Sequence, residues 1–268
     1  MSADPDDRYS HGHAESVLRS HRWRTAANSA AFLLSHLRPS DAILDVGCGP
    51  GTITADLAHC VPEGTIIGVD RSSDVVHQAQ LDHGAVVNLS FRAGDVYSLE
   101  FEDASFDVVY AHQVLQHLSE PVAALAEMRR VLRPGGLVAV RDGDYGAFVW
   151  WPPDRALDRW MEIYQQITVR NGAHANAGRQ LHTWVDDAGF TDLVVSSSNW
   201  TFHRDDERAW WGETWAERVE TSEFARQGLE YELTTTDELA EIARAFRQWS
   251  LDPRGNFIVV SGEVIARR

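Results

Sequence analysis

Residues 42–51 read Ala42-Ile-Leu-Asp45-Val-Gly47-Cys-Gly49-Pro-Gly51, and this stretch decides how the chain folds. A short apolar run, the length of one buried strand, breaks at Gly47, Gly49 and Gly51 and passes into a helical stretch through Ala58. Glycine allows the tight turn and a close backbone approach by a ligand, and Pro50 suits a first helical position. Working outward, strand-like runs recur at Thr65–Asp70, Val86–Ala93, Phe106–Ala111 and Gly136–Arg141. Helical stretches at residues 73–81 and 122–131 separate them. Strands alternating with helices predict a doubly wound, mostly parallel α/β sheet with right-handed crossovers.

The flanks differ from this core. Residues 1–40 read as an N-terminal helical segment after an irregular start, stopped by Arg38-Pro-Ser-Asp. Residues 41–145 form the alternating unit, and residues 146–268 complete the same fold. Nine of the ten tryptophans lie at or after position 150. Here Leu181–Ala188 reads as a helix, Asp192–Ser197 as a strand and residues 204–250 as a largely helical insertion. The insertion and the N-terminal segment are expected to cover one end of the sheet as a lid.

Composition excludes several functions. The 268 residues carry a formal charge of −16, which disfavours a grip on nucleic-acid phosphates or an anionic membrane surface. All 24 basic residues are arginine, so every mechanism that needs a lysine amine is absent, the phosphate-binding lysine of a P-loop included. No apolar run approaches a bilayer span, and the acidic start Met1-Ser-Ala-Asp-Pro-Asp-Asp does not resemble a secretory signal, which predicts a cytoplasmic protein. Two cysteines cannot make a disulfide framework or a four-cysteine zinc site. The pair His11 and His13 lacks the further partners of a metal site, and no metal is expected.

Three residues further along the chain give the glycine turn its meaning. Asp70 stands at the end of the second strand, where a carboxylate can take both hydroxyls of a ribose. Asp95, in Gly94-Asp95-Val96, comes after the third strand, and Ala111-His112 closes the fourth. These are strand carboxyl ends, where open α/β sheets bind ligands. The third glycine of a dinucleotide fingerprint is missing, since Thr52 comes after Gly51, and this counts against an NAD-dependent oxidoreductase. An acid before Gly-x-Gly-x-Gly instead suits a ligand that is cationic at its reacting end, such as S-adenosyl-L-methionine (SAM).

On these residues, with Val131-Leu-Arg-Pro-Gly-Gly136, the segment Asp41–Tyr145 resembles the class I SAM-dependent methyltransferases. It is most similar to the small-molecule group of ubiquinone and menaquinone C-methyltransferases. The stretch Tyr9–Thr25 resembles microbial methyltransferases of natural products, indole-containing ones among them, and with the Trp-rich second half it turns the reading away from a quinone. The resemblance implies a seven-stranded, Rossmann-like sheet whose last strand, Phe257–Ala266, runs antiparallel between the fifth and sixth. It also implies that the Gly47 backbone receives the methionine amino group, Asp70 the ribose, and Asp95 and Val96 the adenine. Gly49, Arg71 and His112 complete the expected cofactor set.

Other candidates rest on chemistry. A guanidinium matches a carboxylate with two parallel hydrogen bonds, which selects Arg24 for the carboxylate of SAM. Tyr9, His13 and Asp144 are the candidates for moving a proton, Asp144 because it lies beyond the fifth strand in Arg141-Asp-Gly-Asp144-Tyr145. Trp150, Trp211 and Trp215 offer wide, rigid faces for an aromatic acceptor, and Glu213 offers a carboxylate for an acceptor amine. The expected activity is methyl transfer to a small, largely aromatic acceptor, at carbon.

Overall fold

The structure is a computed structural model and describes residues 20–268. Five parallel strands form its centre: β1 (Ala42–Val46), β2 (Thr65–Asp70), β3 (Leu89–Ala93), β4 (Phe106–His112) and β5 (Leu132–Gly143). They lie in the order β3-β2-β1-β4-β5. The last strand, β8 (Asn256–Arg267), runs antiparallel beside β5, and β7 (Thr191–Phe202) runs antiparallel along the other edge of β8. The expected antiparallel closing strand is therefore present. A short β6 (Val149–Trp151), not expected from sequence, pairs with the start of β8 and brings the sheet to eight strands.

Neighbouring residues on each central strand serve opposite faces. Ile43, Val108 and Ala139 pack into one core, and Leu44, Val109 and Val138 into the other, all fully buried. This two-sided burial is why the strands read as continuous apolar runs rather than as alternating ones. Helices α3 (Thr52–Cys60), α4 (Ser73–His83), α5 (Pro121–Val131) and α7 (Leu181–Asp187) belong to this layered part. The N-terminal helical stretch is less regular than expected. Its described part contains two four-residue turns, α1 (Ala26–Ser29) and α2 (Ala31–Leu34), broken at Ala30.

A third core lies among α6 (Arg155–Arg170), α8 (Asp205–Thr221), α9 (Glu223–Glu230), α10 (Thr236–Leu251) and the adjoining ends of β7 and β8. Trp160 is fully buried there, 4.5 Å from Trp215 and 5.2 Å from Phe246 in edge-on geometry. Sequence reading did not single out α6, although Asp154 caps it through the N–H groups of Ala156 and Leu157. Among the described residues, no helix is long and apolar enough to cross a membrane.

Candidate functional site

The first glycine turn is held open by its own hydrogen bonds. The N–H groups of Gly47 and Cys48 both donate to the Val69 carbonyl, at 2.7 and 3.0 Å, so the turn is tied to the end of β2. Gly47 has φ +71°, and a side chain there would strike Val114. At Gly49 the nearest atom to such a carbon is His21 Nδ1, 3.9 Å away, which leaves its outer side open.

Asp70 completes the cradle. Its Oδ2 accepts from the Gly49 N–H at 3.0 Å and its Oδ1 from the Ser72 N–H at 3.0 Å. A carboxylate has about four lone-pair sites, so each oxygen retains capacity for a ligand hydroxyl. Asp95 fixes the next loop by accepting from the Tyr97 N–H at 2.9 Å. Asp45 lies beneath, accepting from Thr54 Oγ1 at 2.6 Å. Burial, reinforced by the nearby Asp70 charge, pushes its carboxyl up to about 7 against the Thr54 hydrogen bond. Burial also raises the Cys48 thiol well above its ordinary range, which suits a small packing residue and not a nucleophile.

These groups border one cavity of about 390 Å³, a volume typical of a small-molecule site. Gly47, Gly49, Asp70, Arg71, Asp95, Val96 and His112 line it, as do Arg24, Trp211 and Trp215. The sequence therefore brought ten of its candidates to one place. Arg24 donates through Nη2 to Gln113 Oε1 at 2.6 Å. His112 is 5% exposed, and neither of its ring nitrogens has a hydrogen-bond partner among the described residues. Burial, with Arg24 and Arg141 adding to it, holds this imidazole neutral. His117, also on the wall, is pulled down to about 3 by burial and by Arg24.

Three candidates lie elsewhere. Asp144 is buried but faces Arg179, which donates Nη2 to Oδ1 at 2.5 Å and Nε to Oδ2 at 2.7 Å. This carboxylate is gripped in that fork and is not among the residues that line the cavity, so the structure does not bring it together with the other candidates. Glu213 is exposed on α8 and paired with Arg247 at 3.1 Å, so it does not present a carboxylate to an acceptor amine. Trp150 is half-buried and stacks on Phe257 at 5.6 Å, outside the lining set. Tyr9 and His13 lie outside the described residues.

The wall also contains residues that sequence reading passed over: Trp23, Trp200, Trp210, Tyr145 and Arg218. Trp200 is held from several sides. Its Nε1 donates to the Asn28 carbonyl at 2.7 Å, while the guanidinium carbons of Arg141 and Arg24 lie 4.7 and 5.7 Å from its ring centre. Arg141 is itself fully buried and donates Nε to Ser198 Oγ at 3.0 Å and to Glu263 Oε1 at 3.3 Å. Only the tryptophan content hinted at this wall, because its members come from four separate parts of the chain.

A methyltransferase-domain family profile matches residues 44–140, the stretch from β1 to β5. A protein of Schizosaccharomyces pombe described as an uncharacterized methyltransferase is 34% identical over 271 residues, covering 97% of this chain and 96% of its own length. A probable methyltransferase of Aspergillus luteorubrus is 28% identical over 267 residues, covering 93% of each chain. Among solved structures, a Haemonchus contortus phosphoethanolamine N-methyltransferase bound to S-adenosylhomocysteine superposes with a TM-score of 0.59 at 16% identity. That match covers 96% of this chain and 58% of the other and shows the shared fold.

Proposed function

Since the chain belongs to the class I SAM-dependent methyltransferases, we propose that it methylates a small, largely aromatic acceptor, at carbon, with SAM as the donor. The observation that carries the acceptor class is the aromatic wall. Trp23, Trp200, Trp210, Trp211 and Trp215 border the same cavity as the glycine turn and Asp70. Flat, rigid faces of this kind bury aromatic molecules with little loss of side-chain freedom.

The cofactor fits the groups present. Asp70 keeps acceptor capacity for two ribose hydroxyls, and the open side of Gly49 admits a close approach. In this reading Asp95 and Val96 receive the adenine. The methionine ammonium can only donate, so within the Gly47 backbone its acceptor is the carbonyl, while the Gly47 N–H stays on Val69. Arg24 receives the carboxylate, Arg71 borders the ribose end, and one nitrogen of His112, otherwise without a described partner, meets a polar atom of the bound ligands. When bound, SAM supplies a methyl carbon made electrophilic by its sulfonium.

The protein's own work is positioning. Holding an acceptor atom at near-attack distance and in line supplies up to about 7–11 kcal/mol through effective molarity. The described acidic groups of the cavity are Asp45 on β1, Asp70 at the end of β2 and Asp95 after β3, all at the cofactor end, so no described carboxylate faces the tryptophans as a strong base. An electron-rich aromatic carbon suits such a site because it attacks before losing its proton. The neutral imidazoles of His112 and His117 can then accept that proton. With Asp144 held by Arg179, the proton-transfer candidates are these two histidines together with Tyr9 and His13.

Incubation with methyl-labelled SAM and a panel of indoles, diketopiperazines, phenols and quinones, read by mass spectrometry, tests the proposal. Label on a carbon of an aromatic acceptor is the expected result. Label on aliphatic acceptors alone would refute it.

A further inference from the structure

Strand register lines up four polar residues across one face of the sheet. His112 on β4 pairs with Arg141 on β5, Arg141 with Glu263 on β8, and Glu263 with Ser196 on β7. Glu263 accepts on both oxygens, from Ser196 Oγ at 2.9 Å on one, and from Ser198 Oγ and Arg141 Nε on the other. Arg141 and Glu263 are both buried, yet neither Nη1 nor Nη2 of Arg141 has a hydrogen-bond partner among the described residues. A buried ion pair with unsatisfied donors is a poor way to stabilise a fold. Desolvating both charges can cost more than their attraction returns, and apolar residues of similar volume commonly do as well or better.

What the guanidinium does touch is Trp200. Its central carbon lies 4.7 Å from the centre of that ring, and Trp200 follows Ser198 on the same face of β7. Trp200 lines the cavity and Arg141 does not, so Arg141 backs the ring instead of meeting a ligand. The ring is also tethered at its edge, where Nε1 donates to the Asn28 carbonyl. Trp200 in turn stands 5.8 Å from His112 and 5.2 Å from Trp23, both on the cavity wall. Its plane therefore shapes the junction between the cofactor end and the other tryptophans. Arg24, 5.7 Å from the same ring, borders the cavity itself and stays in place whatever stands at position 141.

We propose that the buried Arg141–Glu263 pair serves function and not stability: Arg141 is a positioning residue that holds the plane of Trp200 and, through it, the fit of a flat acceptor. This rests on the reading of the cavity as a methyl-transfer site for aromatic acceptors and adds the residue that shapes its wall from behind. An edge hydrogen bond alone lets an indole turn about that bond. A desolvated cation stacked on the ring removes this freedom, and Glu263 with its two serines keeps the cation in place.

The test replaces both partners at once, Arg141→Met with Glu263→Met, so that neither charge is left buried alone. In urea this double variant should unfold at the midpoint of the parent or above it. Indole titrated calorimetrically into the full chain saturated with S-adenosylhomocysteine should bind the double variant about tenfold or more weakly than the parent. Affinity for S-adenosylhomocysteine itself should stay within about twofold. In a Trp200→Leu background the same two substitutions should change indole affinity by less than about twofold, because the effect runs through that ring. A crystal structure of the double variant should show Trp200 rotated out of its present plane, a readout that holds even if the triple variant misfolds. The proposal is overturned by a urea midpoint well below that of the parent, by unchanged indole affinity, by an equal loss in the Trp200→Leu background, or by an unmoved ring. If the parent complex takes up no indole, the aromatic-acceptor reading falls and the proposal with it, whereas indole binding that ignores the pair overturns the proposal alone.

Discussion

Asp70 joins two loops as well as facing the cavity, so its removal costs more than a single ligand contact. Asp70→Ala should weaken SAM binding by about 1–3 kcal/mol, the loss of hydrogen bonds to a partly buried carboxylate, as measured by calorimetry. An unchanged dissociation constant would remove Asp70 from the cofactor site. A second residue, Asp142, gives a pH signature. It is fully buried, its Oδ1 accepts from the Gln116 N–H at 3.0 Å, and its Oδ2 has no partner among the described residues. Burial lifts its carboxyl from an ordinary 3.8 to about 7, against the lowering effect of backbone hydrogen bonds and Arg141. Folding therefore takes up a proton between these values, and Asp142 makes the native state less stable as pH rises through that window. Asp142→Asn cannot titrate, so its urea midpoint should gain on that of the parent from pH 4 to pH 7 and then level off. A difference that is flat with pH would show the carboxyl ionised in the fold.

At the level of elements, the loops and the helical block make different demands. Gly47 needs its positive φ and the space beside Val114, so Gly47→Ala should lose SAM binding and also cost stability of about 1–3 kcal/mol, readable in one denaturation series and one titration. Trp160 on α6 packs against Trp215, Phe246 and Phe257 without bordering the cavity. Trp160→Ala should lower unfolding free energy by about 3–5 kcal/mol, measured by chemical denaturation. The strand-end acids were legible in sequence because each is set by local chain geometry: a strand stops, a loop turns, and a carboxylate stands at its mouth. The ion pair of Asp144 was not legible, because its partner, Arg179, lies 35 residues further on and no local pattern announces it. Arg218 and Trp200 were missed for the converse reason. Each reads as an ordinary member of a helix or an edge strand until the fold carries it to the cavity.

For the molecule as a whole, the sheet supplies a fixed cofactor edge, and the region from β6 onward supplies most of the acceptor wall. The doubly wound, mostly parallel sheet was legible from the alternation of strands and helices, and the place of the antiparallel last strand beside β5 from the family resemblance. The tertiary arrangement of α6, α8, α9 and α10 could not, because their apolar faces are satisfied by one another and leave no short-range signature. A ligand that binds only the native state raises stability in proportion to the logarithm of its concentration. S-adenosylhomocysteine at about a hundred times its dissociation constant should add about 2.7 kcal/mol and raise Tm by roughly 5–10 °C. NADH at the same concentration should leave Tm unchanged, and a comparable shift with NADH would reopen the oxidoreductase reading.

The most direct measurement is a crystal structure with S-adenosylhomocysteine in excess. The ribose hydroxyls should lie on Asp70, the adenine beside Asp95 and Val96, and the sulfur should face the space bounded by Trp200 and Trp211. Density in some other cleft, or a ribose held by side chains other than Asp70, would contradict the account.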